Sequence, residues 1–287
     1  MTNSRTLEDV RFLARPGGRL SYTVTGDGPL IVAVPGMGDL RGTWRELIAP
    51  LAAAGFRVAV VDLRGHGDSD TTFTDHGDIA TASDIVALID ELGGPALVIG
   101  NSMAGSAAVI AAADRPDAVA GLALVSPFLR SGGSRAFQAV LRGLTGAMFA
   151  RPWGVAMWTW YYGHALNRGA HSPWLAEHVA AIGASMRQPG RLRSFRDLAT
   201  SLDHDVVTPR AAEVSAPSLI LVGEFDPDYP DAAKELTRMG EQLRAETVLV
   251  EDAAHYAHHQ RPDVVVPAVV AFAKRLRVGS GWRSARA

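Results

Sequence analysis

Apolar and polar positions along the chain follow two alternating patterns. Short runs rich in valine, isoleucine and leucine recur, and most are continuous, which is typical of strands buried on both faces of a parallel sheet. These runs predict strands at residues 19–25, 30–34, 57–61, 96–100, 119–125, 218–222 and 246–250. Segments with helical spacing between them predict helices at residues 43–54, 82–92, 103–113, 231–243 and 264–275. Because strands and helices alternate, we predict an α/β protein whose mostly parallel central sheet carries helices on both faces.

The alternation stops between Ser126 and Arg210, where no segment has a strand pattern. This stretch is rich in aromatic residues and contains four of the six tryptophans, Trp153, Trp158, Trp160 and Trp174. We predict a helical cap at residues 127–210, inserted into a discontinuous core that is formed by residues 1–126 and 211–287.

An inserted segment must bury its apolar face, and the nearby edge of the sheet is the surface available to it. We therefore expect some of the aromatic residues to line an apolar pocket at this edge, while the others form the core of the cap. The candidates for the pocket are Trp153, Trp158 and Tyr161 from the cap, with Gly36 and Tyr256 from the core.

The composition limits the class of protein. The chain has 287 residues, 47% of them hydrophobic and 20% charged, as expected for a globular protein with one substantial core. Its net charge of −2 gives no electrostatic footprint for nucleic acid, and the lack of cysteine excludes disulfides, a thiol nucleophile and cysteine-based metal sites. No uncharged apolar stretch reaches the ~18 residues of a membrane span, and the first residues lack a signal-peptide pattern. We expect a cytoplasmic protein with a small-molecule substrate, no nucleic-acid partner and no membrane span.

The turn after residues 96–99 has the form of a nucleophile elbow. An apolar strand pattern leads directly into Gly100-Asn101-Ser102-Met103, and a helix of small residues follows at once. In such an elbow the turn is so tight that the serine side chain stands alone at the edge of the sheet. Small residues are needed around the serine because strand and helix nearly touch there. The usual pattern is G-x-S-x-G; here Ala104 replaces the last glycine, and Gly105 follows one place later.

Two further strand patterns end in the residue types that a serine nucleophile requires. The predicted strand at 218–222 leads into Asp226, and the one at 246–250 leads into His255. A serine hydroxyl needs a base within hydrogen-bond reach, and the base needs a carboxylate that orients it. Because the carboxyl ends of parallel strands meet at one edge of a sheet, Ser102, Asp226 and His255 are expected to converge there.

Neighbouring residues leave alternatives for the base and for the carboxylate. His258 and His259 follow His255 closely, but His255 comes first after its strand, and we expect the other two to face the cap or solvent. Asp228 and Glu224 flank the favoured aspartate, and Asp228 is the nearer rival. A metal site built on His255 and His258 is a further alternative, but no carboxylate at ligand spacing stands out. We therefore predict no metal and no cofactor.

These residues, in the chain order Ser, Asp, His, resemble the α/β-hydrolase superfamily. The resemblance covers roughly residues 19–126 and 211–275 and rests on four further segments: Val34-Pro35-Gly36-Met37-Gly38, Asp62-Leu63-Arg64-Gly65-His66-Gly67-Asp68-Ser69, Phe225-Asp226-Pro227-Asp228 and Ala254-His255-Tyr256. It implies an α/β-hydrolase fold with an inserted cap. It also implies that Ser102 is the nucleophile, Asp226 the acid and His255 the base.

The resemblance further implies an oxyanion hole formed by the backbone N–H groups of Met37 and Met103. Pro35 stands where many relatives have histidine, and a proline removes a backbone donor and stiffens the loop. The segment at residues 62–69 is expected to be structural, with His66 taking no direct part in the chemistry.

A serine at the elbow argues against epoxide hydrolase and haloalkane dehalogenase chemistry, because relatives that catalyse those reactions use an aspartate nucleophile. We predict a carboxylic ester or lactone hydrolase that forms an acyl-enzyme on Ser102 and acts on a small, largely apolar substrate. Carbon–carbon bond hydrolysis of a diketone and thioester hydrolysis stay open, because enzymes of the former kind have a similar elbow. A non-catalytic alternative is a small-molecule receptor that retains the triad. The oligomeric state is left open.

Overall fold

An eight-stranded, mostly parallel sheet forms the centre of the molecule in the computed structural model, which describes residues 9–132, 134–279 and 282. Its strands are β1 (Arg11–Arg15), β2 (Gly18–Thr25), β3 (Leu30–Val34), β4 (Arg57–Val61), β5 (Ala96–Asn101), β6 (Val119–Val125), β7 (Ser218–Gly223) and β8 (Glu246–Val250). They lie in the order β1-β2-β4-β3-β5-β6-β7-β8. The β1–β2 and β2–β4 pairs are antiparallel, and the remaining pairs are parallel.

All seven predicted strands are confirmed, and β1 is the strand that the sequence pattern missed. In β1 only Leu13 is buried, and arginines occupy both ends of the strand at the edge of the sheet. An edge strand with one buried side chain carries no apolar run, so the pattern that revealed the other strands could not reveal this one.

The helices are α1 (Arg45–Ala53), α2 (Asp78–Leu92), α3 (Met103–Asp114), α4 (Arg135–Met148), α5 (Gly154–His164), α6 (Leu175–Met186), α7 (Arg191–Ser201), α8 (Val207–Ala211), α9 (Ala232–Leu243), α10 (Ala257–Gln260) and α11 (Pro262–Gly279). The five predicted helices correspond to α1, α2, α3, α9 and α11. The prediction for α1 began too early, because Arg41–Trp44 form a separate 3-10 turn, and α2 begins four residues before its prediction. Among the described residues, no helix is long and apolar enough to span a membrane.

Helices cover both faces of the sheet and create two apolar cores. One core packs α2, α3 and α9 on one face, and the other packs α1 and α11 on the opposite face. Consecutive strand residues alternate between them, so that Leu219 lies in the second core and Ile220 in the first. Burial on both faces explains why the parallel strands are continuous apolar runs.

The helices α4 to α8 lie between β6 and β7, and we call residues 127–210 the insertion. Its own apolar core includes Phe149, Trp158 and Phe195, and Tyr256 from the segment after β8 joins them. Met37, in the loop after β3, packs against the same cluster. The insertion therefore contacts loops that leave the carboxyl ends of the strands. The division of the chain into a core and a cap with the boundaries given above stays a prediction.

Candidate active site

Ser102 occupies a strained turn between β5 and α3. Its backbone has φ 58° and ψ −130°, in the region that residues with a side chain rarely adopt. A Cβ atom on Gly100 would lie 2.6 Å from the carbonyl oxygen of Ala104, and one on Gly105 would lie 2.7 Å from Pro127. The glycine needed at the helix side of the turn is therefore Gly105, and an alanine fits at 104.

Asn101 connects this turn to the segment that carries His255. Its side-chain amide donates hydrogen bonds to the carbonyl oxygens of Val125 and His255, at 3.2 and 3.1 Å. This role of Asn101 was not predicted from the sequence. Its contact with residue 255 is made across the fold, and no local pattern indicates it.

His255 and Asp226 form a buried pair at the same edge of the sheet. The Nδ1 atom of His255 lies 3.1 and 3.0 Å from the two carboxylate oxygens of Asp226, and both residues are 2% exposed. Since a carboxylate can only accept here, Nδ1 is the donor, which leaves Nε2 as the basic nitrogen of the neutral ring. The pair thus has the geometry of a base held by an orienting carboxylate.

Electrostatics favour the charged form of this histidine. Burial alone lowers the pKa of His255, but the charge of Asp226 and its hydrogen bond, with the charges of Asp228 and Asp39, raise it to about 9. Burial raises the pKa of Asp226, and the charge and hydrogen bond of His255 outweigh this and lower it below its ordinary value. The imidazolium that forms when a base accepts a proton is therefore stabilised at this position.

Asp228 is a second carboxylate against the same ring nitrogen. Its Oδ2 lies 3.3 Å from Nδ1 of His255, and its Oδ1 accepts a hydrogen bond from the Tyr161 hydroxyl at 3.3 Å. Burial raises the pKa of Asp228 above its ordinary value. Glu224, the other alternative, is exposed and accepts a hydrogen bond from the backbone N–H of Asp252 instead. The shorter contacts of Asp226 favour it over Asp228 as the orienting carboxylate.

The two other candidate bases lie away from the serine and are buried. Nε2 of His258 lies 2.9 Å from the Thr43 hydroxyl, and its ring stacks on Trp44, so it does not face the cap or solvent as expected. Nδ1 of His259 lies 2.7 Å from the Ser172 hydroxyl of the insertion. Burial lowers the pKa of both histidines. Both histidines therefore pack against buried neighbours and form hydrogen bonds behind the site.

The residues that could hold a metal ion are the candidate base and the two carboxylates beside it. In the described part of the chain, ligand atoms of Asp226, Asp228 and His255 lie within 4.8 Å of one another. Asp226 accepts a hydrogen bond from Nδ1 of His255, and Oδ2 of Asp228 lies 3.3 Å from the same nitrogen. The expectation that the protein uses no metal and no cofactor stays a prediction.

The loop after β3 passes directly behind Ser102. A Cβ atom on Gly36 would lie 3.1 Å from the Cβ of Ser102 and 2.8 Å from Oδ1 of Asn101, so only glycine allows this approach. Met37 from this loop and Met103 from the start of α3 both line the cavity next to the serine. The N–H of Met103 is one of the first donors of its helix, which have no intrahelical partner.

His66 supports this loop through its ring nitrogens. Nδ1 lies 2.9 Å from the carbonyl oxygen of Arg64, and the backbone N–H of Gly38 donates to Nε2 at 3.1 Å. Burial lowers the pKa of His66 to about 4, so the ring is neutral, with the proton on Nδ1 and the lone pair on Nε2. The geometry agrees with the expected structural role of this residue.

The insertion is tied to the same loop. The Trp158 indole N–H donates to the carbonyl oxygen of Gly38 at 2.9 Å. The next residue, Asp39, is fully buried, and its carboxylate accepts from the Tyr162 hydroxyl at 3.1 Å and lies 2.6 Å from Nε2 of His178. Helices α5 and α6 therefore help to fix the position of the loop beside Ser102.

A cavity of about 440 Å³ lies above Ser102. Of the predicted pocket residues, Trp158, Tyr161 and Tyr256 line it, whereas Gly36 lies behind the serine. Trp153 does not line the cavity: it is 54% exposed, and its indole N–H donates to the carbonyl oxygen of Ala147. Lining residues that the sequence did not indicate include Phe128, Leu141, Arg142, Thr145, Met148, Leu166, Leu202 and His204.

A family model described as alpha/beta hydrolase family matches residues 31–268. The chain therefore belongs to the alpha/beta hydrolase family, as its sequence predicted, and its fold is the α/β-hydrolase fold. It is a hydrolase of that family.

Relatives and neighbours within the family differ in activity. The chain is 30% identical over 274 residues to mouse sn-1-specific diacylglycerol lipase ABHD11, a match that covers 88% of this chain and 84% of that protein. It is 35% identical over 94 residues to mouse bifunctional epoxide hydrolase 2, but that match covers 32% of this chain and only 17% of the longer protein. A thermophilic esterase from Thermogutta terrifontis has a similar structure, with a TM-score of 0.78 and 24% identity over 93% of this chain and 99% of that one. This last likeness shows the fold alone.

Proposed function

We propose that the protein hydrolyses carboxylic esters or lactones through an acyl-enzyme on Ser102. The observation that carries this proposal is the position of Ser102, which stands on a strained turn at the floor of the cavity that His255 also lines. His255 in turn holds its Nδ1 against Asp226, so its other ring nitrogen is available as a base.

In the first half of the reaction, Nε2 of His255 takes the proton of the Ser102 hydroxyl as the oxygen attacks the ester carbonyl carbon. The electron pair of the carbonyl moves to its oxygen, where the N–H groups of Met37 and Met103 would stabilise the negative charge. When the carbonyl re-forms, the bond to the leaving alcohol breaks, and the alcohol takes the proton from His255. This step leaves an acyl group on Ser102.

In the second half, His255 removes a proton from a water molecule that attacks the acyl carbon. The bond to Ser102 breaks, the serine oxygen takes the proton from His255, and the carboxylic acid is released. Asp226 offsets the charge of the imidazolium in both halves and holds the ring in the required tautomer.

The nucleophile and the lining support an ester over an epoxide. Opening an epoxide with a serine would leave an ether, which water does not cleave under these conditions, whereas an acyl-serine is an ester that a base and water can hydrolyse. The aromatic and aliphatic lining, with Phe128, Trp158 and Leu166 among it, suits an apolar acyl chain.

The test is steady-state hydrolysis of p-nitrophenyl esters from acetate to long acyl chains, with Ser102→Ala and Ser185→Ala in parallel. Ser185 lies on α6 and does not line the cavity, so its variant controls for the loss of a hydroxyl. We expect turnover that requires Ser102 and not Ser185, and the preferred chain length gives the depth of the cavity. Labelling of Ser102 by a fluorophosphonate without turnover of any ester would contradict the proposal and favour carbon–carbon hydrolysis or a receptor.

A further inference from the structure

Helix α4 has its apolar side chains on the outside. Phe137, Val140, Leu144 and Met148 are between 41% and 63% exposed, and their spacing places them on one face of the helix. The α4 side chains that line the cavity include the polar Gln138, Arg142 and Thr145, and the exposed Leu141 and Met148 lie at its rim. A helix on the surface of a globular protein normally has the opposite orientation, because burial of its apolar stripe stabilises it. Among the described residues, none covers the outward face of α4, so this face is open to a binding partner.

The same arrangement continues into α5. Trp153, just before this helix, and Met157 and Trp160 within it are 39% to 58% exposed, while Trp158 and Tyr162 on its other face are buried. Among the described residues, eight of the twelve exposed large apolar side chains lie between positions 137 and 160. A concentration of exposed apolar side chains of this kind is typical of an interaction site.

The charge of this segment is one-sided. Residues 127–176 contain no aspartate, glutamate or lysine, but five arginines, Arg130, Arg135, Arg142, Arg151 and Arg168, in a chain whose net charge is −2. Arg151, in the connection between α4 and α5, shares a surface groove with Arg193 and Arg196 of α7. Arg130 is paired with Glu235, but Arg151, Arg193 and Arg196 have no carboxylate partner among the described residues. An apolar face with such arginines beside it complements a lipid surface, which has an apolar interior and can carry anionic head groups.

This face also adjoins the entrance of the cavity. The exposed members of the cavity lining include Arg130, Gly132, Leu141 and Met148, and the last two belong to α4. The floor of the cavity, at Ser102, is buried below them. A molecule that leaves a surface in contact with α4 can therefore enter the cavity beside this helix.

We infer that the outward faces of α4 and α5, which we call the apolar face, dock on an anionic lipid surface, and that the substrate is a lipophilic ester taken from it. This inference rests on the proposed function of Ser102. The docking is peripheral: apolar side chains enter the boundary of the acyl chains, and arginines contact the phosphate groups. A second copy of the chain would bring arginines against arginines at this face, whereas an anionic surface neutralises them.

The first experiment measures co-sedimentation of the full chain with vesicles of phosphatidylcholine alone and of phosphatidylcholine mixed with phosphatidylglycerol. We expect preferential binding to the anionic vesicles, weakened by salt because screening reduces the contribution of the arginines. Ser102→Ala is expected to bind like the wild type, since binding does not require turnover. If the wild type sediments with neither kind of vesicle, the inference is wrong.

Variants separate the apolar contribution from the charge contribution. The double variant Val140→Glu/Leu144→Glu, at two positions that do not line the cavity, is expected to weaken vesicle binding by about tenfold or more. The matched control is Ile79→Glu, which changes a 54% exposed side chain on α2 and should bind like the wild type. Arg151→Gln/Arg196→Gln is expected to weaken binding to anionic vesicles by about tenfold at low salt and to leave binding to phosphatidylcholine unchanged.

Activity assays separate failure of this inference from failure of the proposed function. Val140→Glu/Leu144→Glu should hydrolyse a soluble short-chain ester at the wild-type rate, but a long-chain ester held in anionic vesicles more slowly. A wild type that binds vesicles but cleaves neither ester contradicts the proposed function and leaves the docking intact. A dimer in sedimentation velocity that the double variant dissociates, together with no vesicle binding, assigns the apolar face to a second copy and overturns the inference.

Discussion

The central sheet and the inserted helices place their apolar side chains in opposite ways. On β7, the neighbours Leu219 and Ile220 are both buried, each in a different core. On α4, Val140 and Leu144 point to solvent, while polar side chains of the same helix face the cavity. The apolar side chains of the sheet are therefore covered by other parts of the chain, whereas in the described part of the molecule those on the outward side of α4 are exposed.

This difference corresponds to a division between the chemistry, at the strand ends, and the contacts with other molecules, at the insertion. The side chains proposed for the chemistry follow β5, β7 and β8, and the two cores fix where those strands end. The insertion contributes walls and rim of the cavity, and it supports the loop beside Ser102 through the hydrogen bonds of Trp158 to Gly38 and of Tyr162 to Asp39. Changes at the sheet edge should therefore alter the rate of the reaction, and changes on the outer face of α4 should alter only what the protein contacts.

The largest expected effect is at the sheet edge. Asp226→Asn should reduce kcat by about 10⁴-fold, because an amide no longer selects the tautomer of His255 that has its lone pair on Nε2. Asp228→Asn, two residues further on, should change kcat by less than about tenfold if Asp228 contacts His255 but does not orient its ring. Kinetics of both variants on one soluble ester provide the test, and a reversed order of effects would assign the orienting role to Asp228.

The next largest difference is expected in the free energy of unfolding, when a large apolar side chain is shortened in the sheet or on α4. Ile220→Ala, in the centre of β7, is expected to lower the free energy of unfolding by about 2–5 kcal/mol, since it leaves a cavity in a packed core. Leu144→Ala, on α4, should change it by no more than about 0.5 kcal/mol, because its side chain is 63% exposed. Urea unfolding of both variants measures this difference. A loss at Leu144 comparable to that at Ile220 would show that the outer face of α4 is covered within the molecule.

The strand ends at the sheet edge were predictable from the sequence because they obey local rules. Seven strands were visible as apolar runs, and Ser102, Asp226 and His255 each follow one of them. A parallel sheet converts these positions along the chain into proximity in space. The prediction therefore needed no knowledge of contacts between distant residues.

The insertion was predictable only in outline, because its contacts obey no such rule. Trp153 and Trp158 looked equivalent in the sequence, but one is exposed and the other lines the cavity. Asp39 is a single carboxylate whose partners, Tyr162 and His178, lie more than a hundred positions away in the chain. The helical spacing of the apolar residues in α4 could have revealed an amphipathic helix, but it could not show that the apolar side faces outward.

An intermediate effect is expected where the two regions meet. Trp158→Phe removes the indole donor to the carbonyl oxygen of Gly38 and leaves that buried oxygen without its partner. The loss of this partner should lower the free energy of unfolding by about 1–3 kcal/mol. Because Gly38 belongs to the loop beside Ser102, kcat should fall, by about tenfold, and not only KM rise. The control is Trp160→Phe, whose exposed ring stacks on His164 and should leave the kinetics of a soluble ester unchanged. An increase in KM alone would mean that Trp158 is a pocket wall and does not position the loop.

The smallest effect should be a shift of the pH profile in Asp228→Asn. Burial lowers the pKa of His255, but the charges of Asp226 and Asp228 raise it, so removal of one charge should move it down. A base accepts a proton only when neutral, and kcat/KM therefore rises as pH increases through this pKa. The acid limb of the profile should thus move to lower pH in Asp228→Asn, while Asp231→Asn, on the same loop at the start of α9, should leave it in place. Movement of the limb in both variants would show a general effect of charge on this loop, and an unchanged limb in Asp228→Asn would mean that the second carboxylate does not act on the base.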